Sequence, residues 1–358
     1  MKKIVALILI LSAALSSAAQ TLPTKFDVKI RTKFHVQGMA IDTAARCFYL
    51  SFTTSLVKTD YEGNVLAQID SIPGHLGCMT FDPSTRKLYA SLECKDDEIG
   101  RGIAASLKSA DYTEDVSKFY IAMFDVDRIA EGVGKAMQTF PVTEAIADYK
   151  TRYGCAGIDG VTIAPQIGKK KGKPCLYVAY GVYSDISRRD NDHQILLEFK
   201  LDQFKAGKGG EKADAKAPKH SAKYFVYTGN TAWGVQNLCY DAKTGCIFMA
   251  CYMGKKPEFP NFSLFAVPVA QKPVKKVLRG LEDDGEHLSL ALWQQGLLST
   301  VKGIRGWRFS DATTGVCSLG NGTWFVSTPT KLRGKMQTAT VRQIRWKGGP
   351  QENPFEEL

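Results

Sequence analysis

Apolar and polar positions along this chain follow a repeated strand–turn–strand pattern. Each copy has a small residue or an amide, a short apolar strand, a turn and a second apolar strand rich in aromatic residues. The five copies are residues 38–52, 77–92, 160–180, 237–251 and 315–327. A fixed unit of this kind, repeated over a whole chain, is typical of a β-propeller, whose blades stand around a central channel.

The segments that follow each copy supply two further strands, which predicts four-stranded blades. In blade 4 these strands are residues 263–267 and 274–278. Blade 5 runs out of chain after three strands, whereas the N-terminal strand 26–31 has no blade of its own. We therefore predict an all-β fold, a single propeller of five blades in which the N-terminal strand closes the last blade and covers its edge. Six blades are the alternative, with a degenerate blade in residues 282–303.

Uneven spacing between the blades indicates insertions. They fall near residues 96–118, 127–150, 203–223 and 280–303. Within or beside them, helices are expected at residues 127–137, 143–149 and 288–298. Insertions on one face of a repeat protein commonly surround its binding face.

The N-terminus has the pattern of a secretory signal. Two lysines, Lys2 and Lys3, precede an apolar run and a small-residue cleavage site at 17–19. We predict a signal peptide at residues 1–19 and a propeller domain at residues 20–358, secreted or periplasmic. The apolar run is too short to span a bilayer, and no second candidate for a transmembrane segment follows. No cysteine stands at the cleavage point to carry a lipid.

The formal net charge of +11 is concentrated in two Gly/Lys-rich loops, at residues 169–173 and 203–223. Such loops are typical of solvated insertions. Nucleic-acid binding would require basic residues interleaved with aromatic ones on an ordered face, and this pattern is absent. We therefore expect no nucleic-acid partner.

Nine cysteines are an odd number for an exported chain. Most of them fall inside predicted strands, where a small apolar residue fits. No Cys-x-x-Cys pair or His spacing suits zinc. One or two disulfides between blades remain an open alternative.

Residues just ahead of each innermost strand stand at the entrance of a propeller channel. These positions are unusually polar and aromatic in this chain, which suits a sugar or another small polar ligand. The candidates are His35 and Gln37 in blade 1, His75 in blade 2, Tyr153 and Asp159 in blade 3, Trp233, Gln236 and Asn237 in blade 4, and Arg305 and Trp307 in blade 5.

Three of these residues are candidates for catalysis. His35 and His75 occupy matching places in successive blades, and with Asp159 they can act as acid and base or bind a metal ion. The alternative is a structural role in hydrogen bonds at the blade junctions. A glycosidase needs two carboxylates, and Asp159 with Glu93 or with Glu258 forms the candidate pair.

The loop at residues 185–193 is expected to reach the same end of the channel. Arg188 is a candidate to clamp a carboxylate or phosphate, and Tyr183 a candidate to wall the site. Residues 190–192 match a fragment of a calcium loop without its glycine and terminal glutamate, which leaves Ca²⁺ as an open cofactor. The alternative is a charged hairpin tip.

The repeated phrase resembles the exported propellers of the NHL and SMP-30-like kind. The resemblance covers the whole mature chain at the level of the fold. SMP-30-like lactonases hold a metal ion with Glu, Asn and Asp, but the resemblance assigns that set to no positions of this chain. Five blades also occur in glycoside hydrolases and in sugar-binding lectins, so the fold does not choose among these functions.

Three functions follow as hypotheses. The first is an exported carbohydrate-active propeller, a hydrolase that acts on a glycan or small polar substrate at the channel entrance. The second is a non-catalytic propeller that binds a glycan or peptide there or serves as a scaffold. The third is a calcium-dependent hydrolase of lactones, esters or phosphate esters. In each case we expect a monomer.

Overall fold

Five sheets surround a common channel, and each presents one short strand to it. The computed structural model describes residues 21–95, 97–107, 117–149, 157–181, 185–189, 191–205, 217–278 and 285–358. The five-bladed all-β propeller predicted from the repeats is confirmed. The predicted signal peptide, residues 1–19, lies outside the described residues.

Blades 1 and 2 follow the N-terminal strand β1 (Lys25–Asp27), and each has four antiparallel strands in chain order from the channel outward. They are β2 (Gly38–Asp42), β3 (Cys47–Phe52), β4 (Ser55–Thr59) and β5 (Val65–Ile69), then β6 (His75–Asp82), β7 (Lys87–Cys94), β8 (Lys118–Asp125) and β9 (Met137–Pro141).

Blades 3 and 4 come next. Their strands are β10 (Gly160–Pro165), β11 (Pro174–Gly181), β12 (His193–Lys200) and β13 (Ala222–Tyr227), then β14 (Thr231–Asp241), β15 (Cys246–Met253) and β16 (Leu264–Pro268). Two further strands, β17 (Val274–Val277) and β18 (Glu286–Leu290), extend blade 3 at its outer edge, because β18 pairs in parallel with β13.

The outer edge of blade 4 differs from the sequence prediction. The segment 274–278, predicted as its fourth strand, belongs to the extension of blade 3. The fourth position is instead taken by Trp307, which exchanges two backbone hydrogen bonds with Leu264 at 2.8 and 3.0 Å. Burial explains the choice, because all four residues of β17 are exposed whereas Trp307 is fully buried.

Trp307 follows a two-stranded ribbon of β19 (Leu297–Ser299) and β20 (Ile304–Gly306). The helix expected at 288–298 is therefore wrong, since β18 and β19 occupy its ends. The sixth blade considered for 282–303 is likewise replaced by additions to blades 3 and 4, as far as these residues are described.

Blade 5 contains β21 (Val316–Ser318), β22 (Thr323–Lys331) and β23 (Gln337–Trp346). As predicted, the N-terminal strand completes it, with Phe26 opposite Val341 in an antiparallel pair. A C-terminal strand, β24 (Phe355–Glu357), pairs with the rest of the same edge, opposite 344–346. Both ends of the chain therefore cover one strand, and the ring closes there.

Short helices lie in the connections. They are α1 (Glu98–Leu107), α2 (Val133–Ala136) and α3 (Thr143–Ala147), with 3₁₀ turns at Ile129–Glu131, Leu201–Gln203, Ser310–Thr314 and Arg333–Lys335. The last two α-helices confirm the helical insertions expected at 127–137 and 143–149. Among the described residues, no helix is long and apolar enough to cross a membrane.

Apolar side chains form five clusters, one at each junction between neighbouring blades. At the closing junction, Phe26 of β1 packs on Phe48 of blade 1 with ring centroids 5.1 Å apart, and Phe48 meets Phe325 of blade 5 edge to face. Because every blade needs a neighbour on both faces to bury its apolar residues, the ring is stable only when it is complete.

Close approach of the innermost strands narrows the channel. Gly38 begins β2, and a Cβ atom on it would lie 2.7 Å from the Cα of Cys78 in the next blade. Asn237 takes the matching place in blade 4. Its side-chain amide donates hydrogen bonds to the carbonyls of Gln37 and Thr313, both at 2.9 Å, and so ties blade 4 to blades 1 and 5.

The closing strand gives a test of this fold. We expect Phe26→Ala to lower the free energy of unfolding by about 2–4 kcal/mol, because it removes an aromatic side chain from the closing junction. Lys25→Ala, on the exposed face of the same strand, should change it by less than about 0.5 kcal/mol. Equilibrium denaturation measures both, and equal effects would contradict closure by this strand.

Candidate functional site

Three ionisable side chains converge at the channel entrance. His75 opens the innermost strand of blade 2 and lies opposite Glu93 in the β6–β7 pair, while Asp159 directly precedes the innermost strand of blade 3. His75 Nδ1 lies 3.7 Å from an Asp159 carboxylate oxygen. One ligating atom from each of the three lies within 4.8 Å of the other two. With Lys95, these residues form what we call the entrance cluster.

Glycines allow the backbone to come close to these carboxylates. Gly157 has a φ of +126°, and a Cβ atom on it would lie 2.1 Å from Glu93 Oε1. A Cβ atom on Gly77 would lie 3.0 Å from Asp159 Oδ1. Larger residues at these two positions would displace the carboxylates, so the cluster depends on glycine at both.

Lys95 supplies the positive charge of the cluster. Its ammonium lies 3.0 Å from Glu93 Oε2 and 3.6 Å from an Asp97 oxygen. Burial disfavours the charge on Lys95, but the neighbouring carboxylates outweigh burial and raise its pKa. Burial raises the pKa of Glu93, and the ion pair with Lys95 opposes that change. Of the two carboxylates, Glu93 is therefore the one whose charged form Lys95 stabilises directly.

Asp159 and His75 respond to the same environment. Burial raises the pKa of Asp159 well above its ordinary value, and the charge of Glu93 adds to this effect. Burial also lowers the pKa of His75 to about 3, with smaller effects from Lys95 and His35, so its imidazole is neutral at physiological pH. One ammonium thus faces two buried carboxylates, and the second carboxylate needs either a proton or another cation.

Blade 4 forms the neighbouring wall. The Gln236 side chain donates to Asp159 Oδ2 at 3.3 Å and to the Trp233 carbonyl at 3.2 Å. Trp233 is 47 % exposed, and it is three residues before Gln236 on β14. Burial raises the pKa of Tyr252, and the nearby charge of Asp159 contributes, which places this phenol on the same wall.

Blade 1 contributes the remaining predicted polar pair. The Gln37 amide lies 2.9 Å from His35 Nε2 and 3.4 Å from the Thr53 hydroxyl. Burial lowers the pKa of His35. The structure therefore brings the three residues predicted for catalysis, His35, His75 and Asp159, to one end of the channel. Cross-strand pairing with His75 selects Glu93 as the partner carboxylate.

Other predicted site residues have different places. Asn237 is fully buried, and its side-chain amide donates hydrogen bonds to two backbone carbonyls, which ties blade 4 to blades 1 and 5. Trp307, expected at the entrance, is buried in an aromatic cluster with Phe248 and Trp346. Arg305 lies on β20 and donates to the Gly296 carbonyl. The sequence prediction placed Trp307 and Arg305 directly ahead of the innermost strand of blade 5. In the structure their segment lies at the outer edge of blade 4, and the residues directly ahead of β21 form a 3₁₀ turn.

The loop at 185–193 is tied to blade 4 by a buried lysine. Lys256 Nζ donates to the Arg188 carbonyl at 2.6 Å, to Asn191 Oδ1 at 2.7 Å and to Asp192 Oδ1 at 2.6 Å. Two of the three residues that suggested a calcium-loop fragment, Asn191 and Asp192, are therefore bound to an ammonium group. Glu258, the other proposed partner of Asp159, is exposed in the blade 4 loop that carries Lys256, and its charge acts on Asp192.

Some predicted residues lie outside the described part of the chain. These are Tyr153, Tyr183 and Asp190. Cys155 also lies outside it. The eight described cysteines are free thiols and six of them are buried, which agrees with their interpretation as small core residues.

A second cavity, missed by sequence reasoning, lies at the opposite end of the channel. It has a volume of about 220 Å³ and is lined by the ends of all five innermost strands, including Met39, Phe81, Thr162, Tyr240 and Ser318. The residues that line it follow the same apolar pattern as the core. Periodicity alone therefore gave no signal for a cavity.

No protein-family model matches this chain, and no curated protein matches it. Among solved structures, it is similar to hydrazine synthase of Kuenenia stuttgartiensis, with 12 % identity and a TM-score of 0.39 over 84 % of this chain and 70 % of that one. It is also similar to a functionally unknown protein from Desulfotomaculum acetoxidans DSM 771, with 9 % identity and a TM-score of 0.38 over 86 % and 69 %. These similarities concern the fold alone.

The Lys256 contacts make a testable prediction. We expect Lys256→Met to lower the free energy of unfolding by about 2–4 kcal/mol, because Asp192 and two carbonyl-type oxygens lose their buried partner. Lys255→Met removes the same charge from an exposed position and should have little effect. Chemical denaturation compares the two, and a small loss in both would favour the charged hairpin tip considered from the sequence.

Proposed function

We propose that this chain is an exported hydrolase that acts on a glycan or another small polar substrate at the channel entrance. The observation that carries the proposal is the convergence of His75, Glu93 and Asp159 within 4.8 Å at the open end of the ring. Pairs of carboxylates with different charge states are the groups that most glycosidases use to hydrolyse a glycosidic bond.

The cluster offers the roles needed for this chemistry. Hydrolysis requires a group that activates water or attacks the substrate, and positive charge or a proton near the leaving oxygen. Glu93, paired with Lys95, and Asp159 supply the carboxylates. Lys95 supplies the fixed positive charge. The neutral imidazole of His75, 3.7 Å from Asp159, would exchange a proton with it through a bound water or after a small side-chain movement.

Trp233 supports a sugar as the substrate. Trp233 is exposed, and the Gln236 amide donates both to its backbone carbonyl and to Asp159, so a pyranose stacked on the Trp233 ring would lie near Gln236. Aromatic rings pack on the C–H faces of sugars while amides bind their hydroxyls. The Trp233 indole would then position the scissile bond of the substrate beside the carboxylates.

Export and family are part of the same proposal. Residues 1–19 have the charged, apolar and small-residue order of a signal peptide. The repeated phrase resembles propellers of the NHL and SMP-30-like kind, many of which act outside the cytoplasm. A monomer completes the proposal, since β1 and β24 already cover the outer edge of blade 5.

A non-catalytic binding propeller is the second candidate. One observation favours it: Glu93 is only 1 % exposed, whereas Trp233 is 47 % exposed. A site that only binds its ligand would use Trp233 and Gln236 and leave the carboxylates as structural groups. Turnover separates the two candidates, because binding without turnover supports this one.

Asp159→Asn tests the hydrolase. On a panel of chromogenic glycosides and esters, we expect kcat/KM to fall by about 10²–10⁴-fold, because the amide cannot serve as acid, base or anionic group. Glu258→Gln, which changes an exposed carboxylate in the neighbouring loop, should keep wild-type turnover.

Circular dichroism and thermal unfolding confirm that both variants are folded. Wild-type turnover in Asp159→Asn would remove this residue from the chemistry. If the wild-type protein turns over no substrate but binds oligosaccharides in a Trp233-dependent way, the binding propeller replaces the hydrolase.

A further inference from the structure

We propose that His75, Glu93 and Asp159 bind one divalent transition-metal ion of the zinc class at the channel entrance. The inference concerns the same site as the proposed hydrolase, but it rests on the geometry and charge of the three side chains. Its test needs no substrate, so it can fail or succeed independently of the hydrolase.

Geometry is the first argument. Zinc binds imidazole nitrogen and carboxylate oxygen at about 2.0–2.2 Å in tetrahedral geometry, so two of its ligands lie roughly 3.3–3.6 Å apart. The His75 and Asp159 atoms are 3.7 Å apart, and all three ligating atoms lie within 4.8 Å of one another. Side-chain movements of about 1 Å would complete the coordination.

Unsatisfied polar atoms are the second argument. His75 Nδ1 is buried and has no hydrogen-bond partner among the described residues. Glu93 is 1 % exposed, and neither of its carboxylate oxygens makes a well-formed hydrogen bond to a described residue. Lys95 forms an ion pair with one of these oxygens, and the Ile158 amide lies near the carboxylate. Buried polar atoms in this state indicate a bound ion or water that completes the site.

Glu198 shows what a structural carboxylate looks like in this protein. It is also 1 % exposed, but four side chains donate hydrogen bonds to it. The donors are Tyr177, Tyr224, Gln166 and Ser221, at 2.8–3.2 Å. A glutamate that serves only the core is therefore saturated with donors, and Glu93 is not.

Charge is the third argument. Glu93 and Asp159 together carry two negative charges when ionised, and Lys95 offsets one. Lys95 contacts Glu93 Oε2, in the manner of the outer hydrogen bonds that orient metal ligands, and no described residue makes a well-formed hydrogen bond to Oε1. A divalent ion would offset the remaining charge and ligate the neutral imidazole.

The donor set selects the class of ion. One imidazole with two carboxylates suits Zn²⁺, Mn²⁺, Fe²⁺ or Co²⁺, whereas Ca²⁺ and Mg²⁺ prefer oxygen ligands alone. The sequence left Ca²⁺ open as a cofactor at residues 190–192, whereas this inference concerns a transition-metal ion at the channel entrance. In the hydrolase, such an ion would lower the pKa of a bound water toward about 7 and generate the nucleophile.

The test measures metal binding on tag-free, chelator-treated protein. We expect calorimetry to show that one equivalent of Zn²⁺ or Co²⁺ binds, and we expect the bound ion to raise the unfolding temperature. For Co²⁺, we also expect the visible d–d absorption bands that appear when protein side chains replace its water ligands. Ca²⁺ should do none of these at the same concentration.

Variants assign the ligands. Glu93→Gln and Asp159→Asn keep the side-chain shape and should each weaken binding by at least tenfold, while Glu258→Gln should bind like the wild type. His35→Gln should also keep full affinity, since His35 is not among the three ligands.

Three outcomes would overturn the inference. The first is that the wild type binds no ion at a 100-fold excess, about 1 mM, which excludes dissociation constants below that concentration. The others are unchanged affinity in both carboxylate variants and tighter binding of Ca²⁺ than of Zn²⁺. Metal binding without turnover of any substrate would leave the metal site in place and remove the hydrolase.

Discussion

Closure of the ring at blade 5 is the constraint on which the rest of this structure depends. Strand β1 comes from one end of the chain and pairs with β23 from the other end, and Phe26 then fills the junction between blades 5 and 1. Each blade buries apolar side chains on both faces, so one open junction would expose two of them. The polar entrance exists because this closure holds five strand ends at one point.

Closure also explains which polar residues became structural. Asn237 stands where the other blades have a small residue at the start of the innermost strand, and its amide reaches carbonyls in two other blades. Ser51 and Ser91 act similarly, since each donates to the carbonyl ahead of the next innermost strand, at Gly77 and Asp159. These bonds position the backbone of Asp159, and so they fix the entrance cluster without belonging to it.

The repeats were sufficient to predict the propeller, its closure and the place of the entrance, because each copy marks where an innermost strand begins. They predicted His75 and Asp159 near each other for the same reason. The position of Trp307 could not be predicted from the sequence, because an aromatic residue stands in the same sequence pattern whether it lines a pocket or packs in the core. The segment 274–278 has two valines, Val274 and Val277, but these face solvent, and the pattern of apolar residues does not reveal which neighbour a strand finds. Glu93 was only one of two options until the register of β6 and β7 set it opposite His75.

Two lysines, Lys256 and Lys95, show how an ammonium group can bind buried oxygen atoms in this protein. Lys256 makes three short hydrogen bonds to Arg188, Asn191 and Asp192, which use all three of its N–H groups and leave no room for an ion. Lys95 instead reaches Glu93 and Asp97. The first loop is therefore complete as a structural element, while Asp159 and His75 still face each other across 3.7 Å. Since a buried carboxylate is costly unless a charge offsets it, the described residues of the entrance retain a demand for positive charge beyond that of Lys95. A substrate proton or a metal ion meets that demand, and this is why function is expected at the entrance and not at the cavity at the other end of the channel.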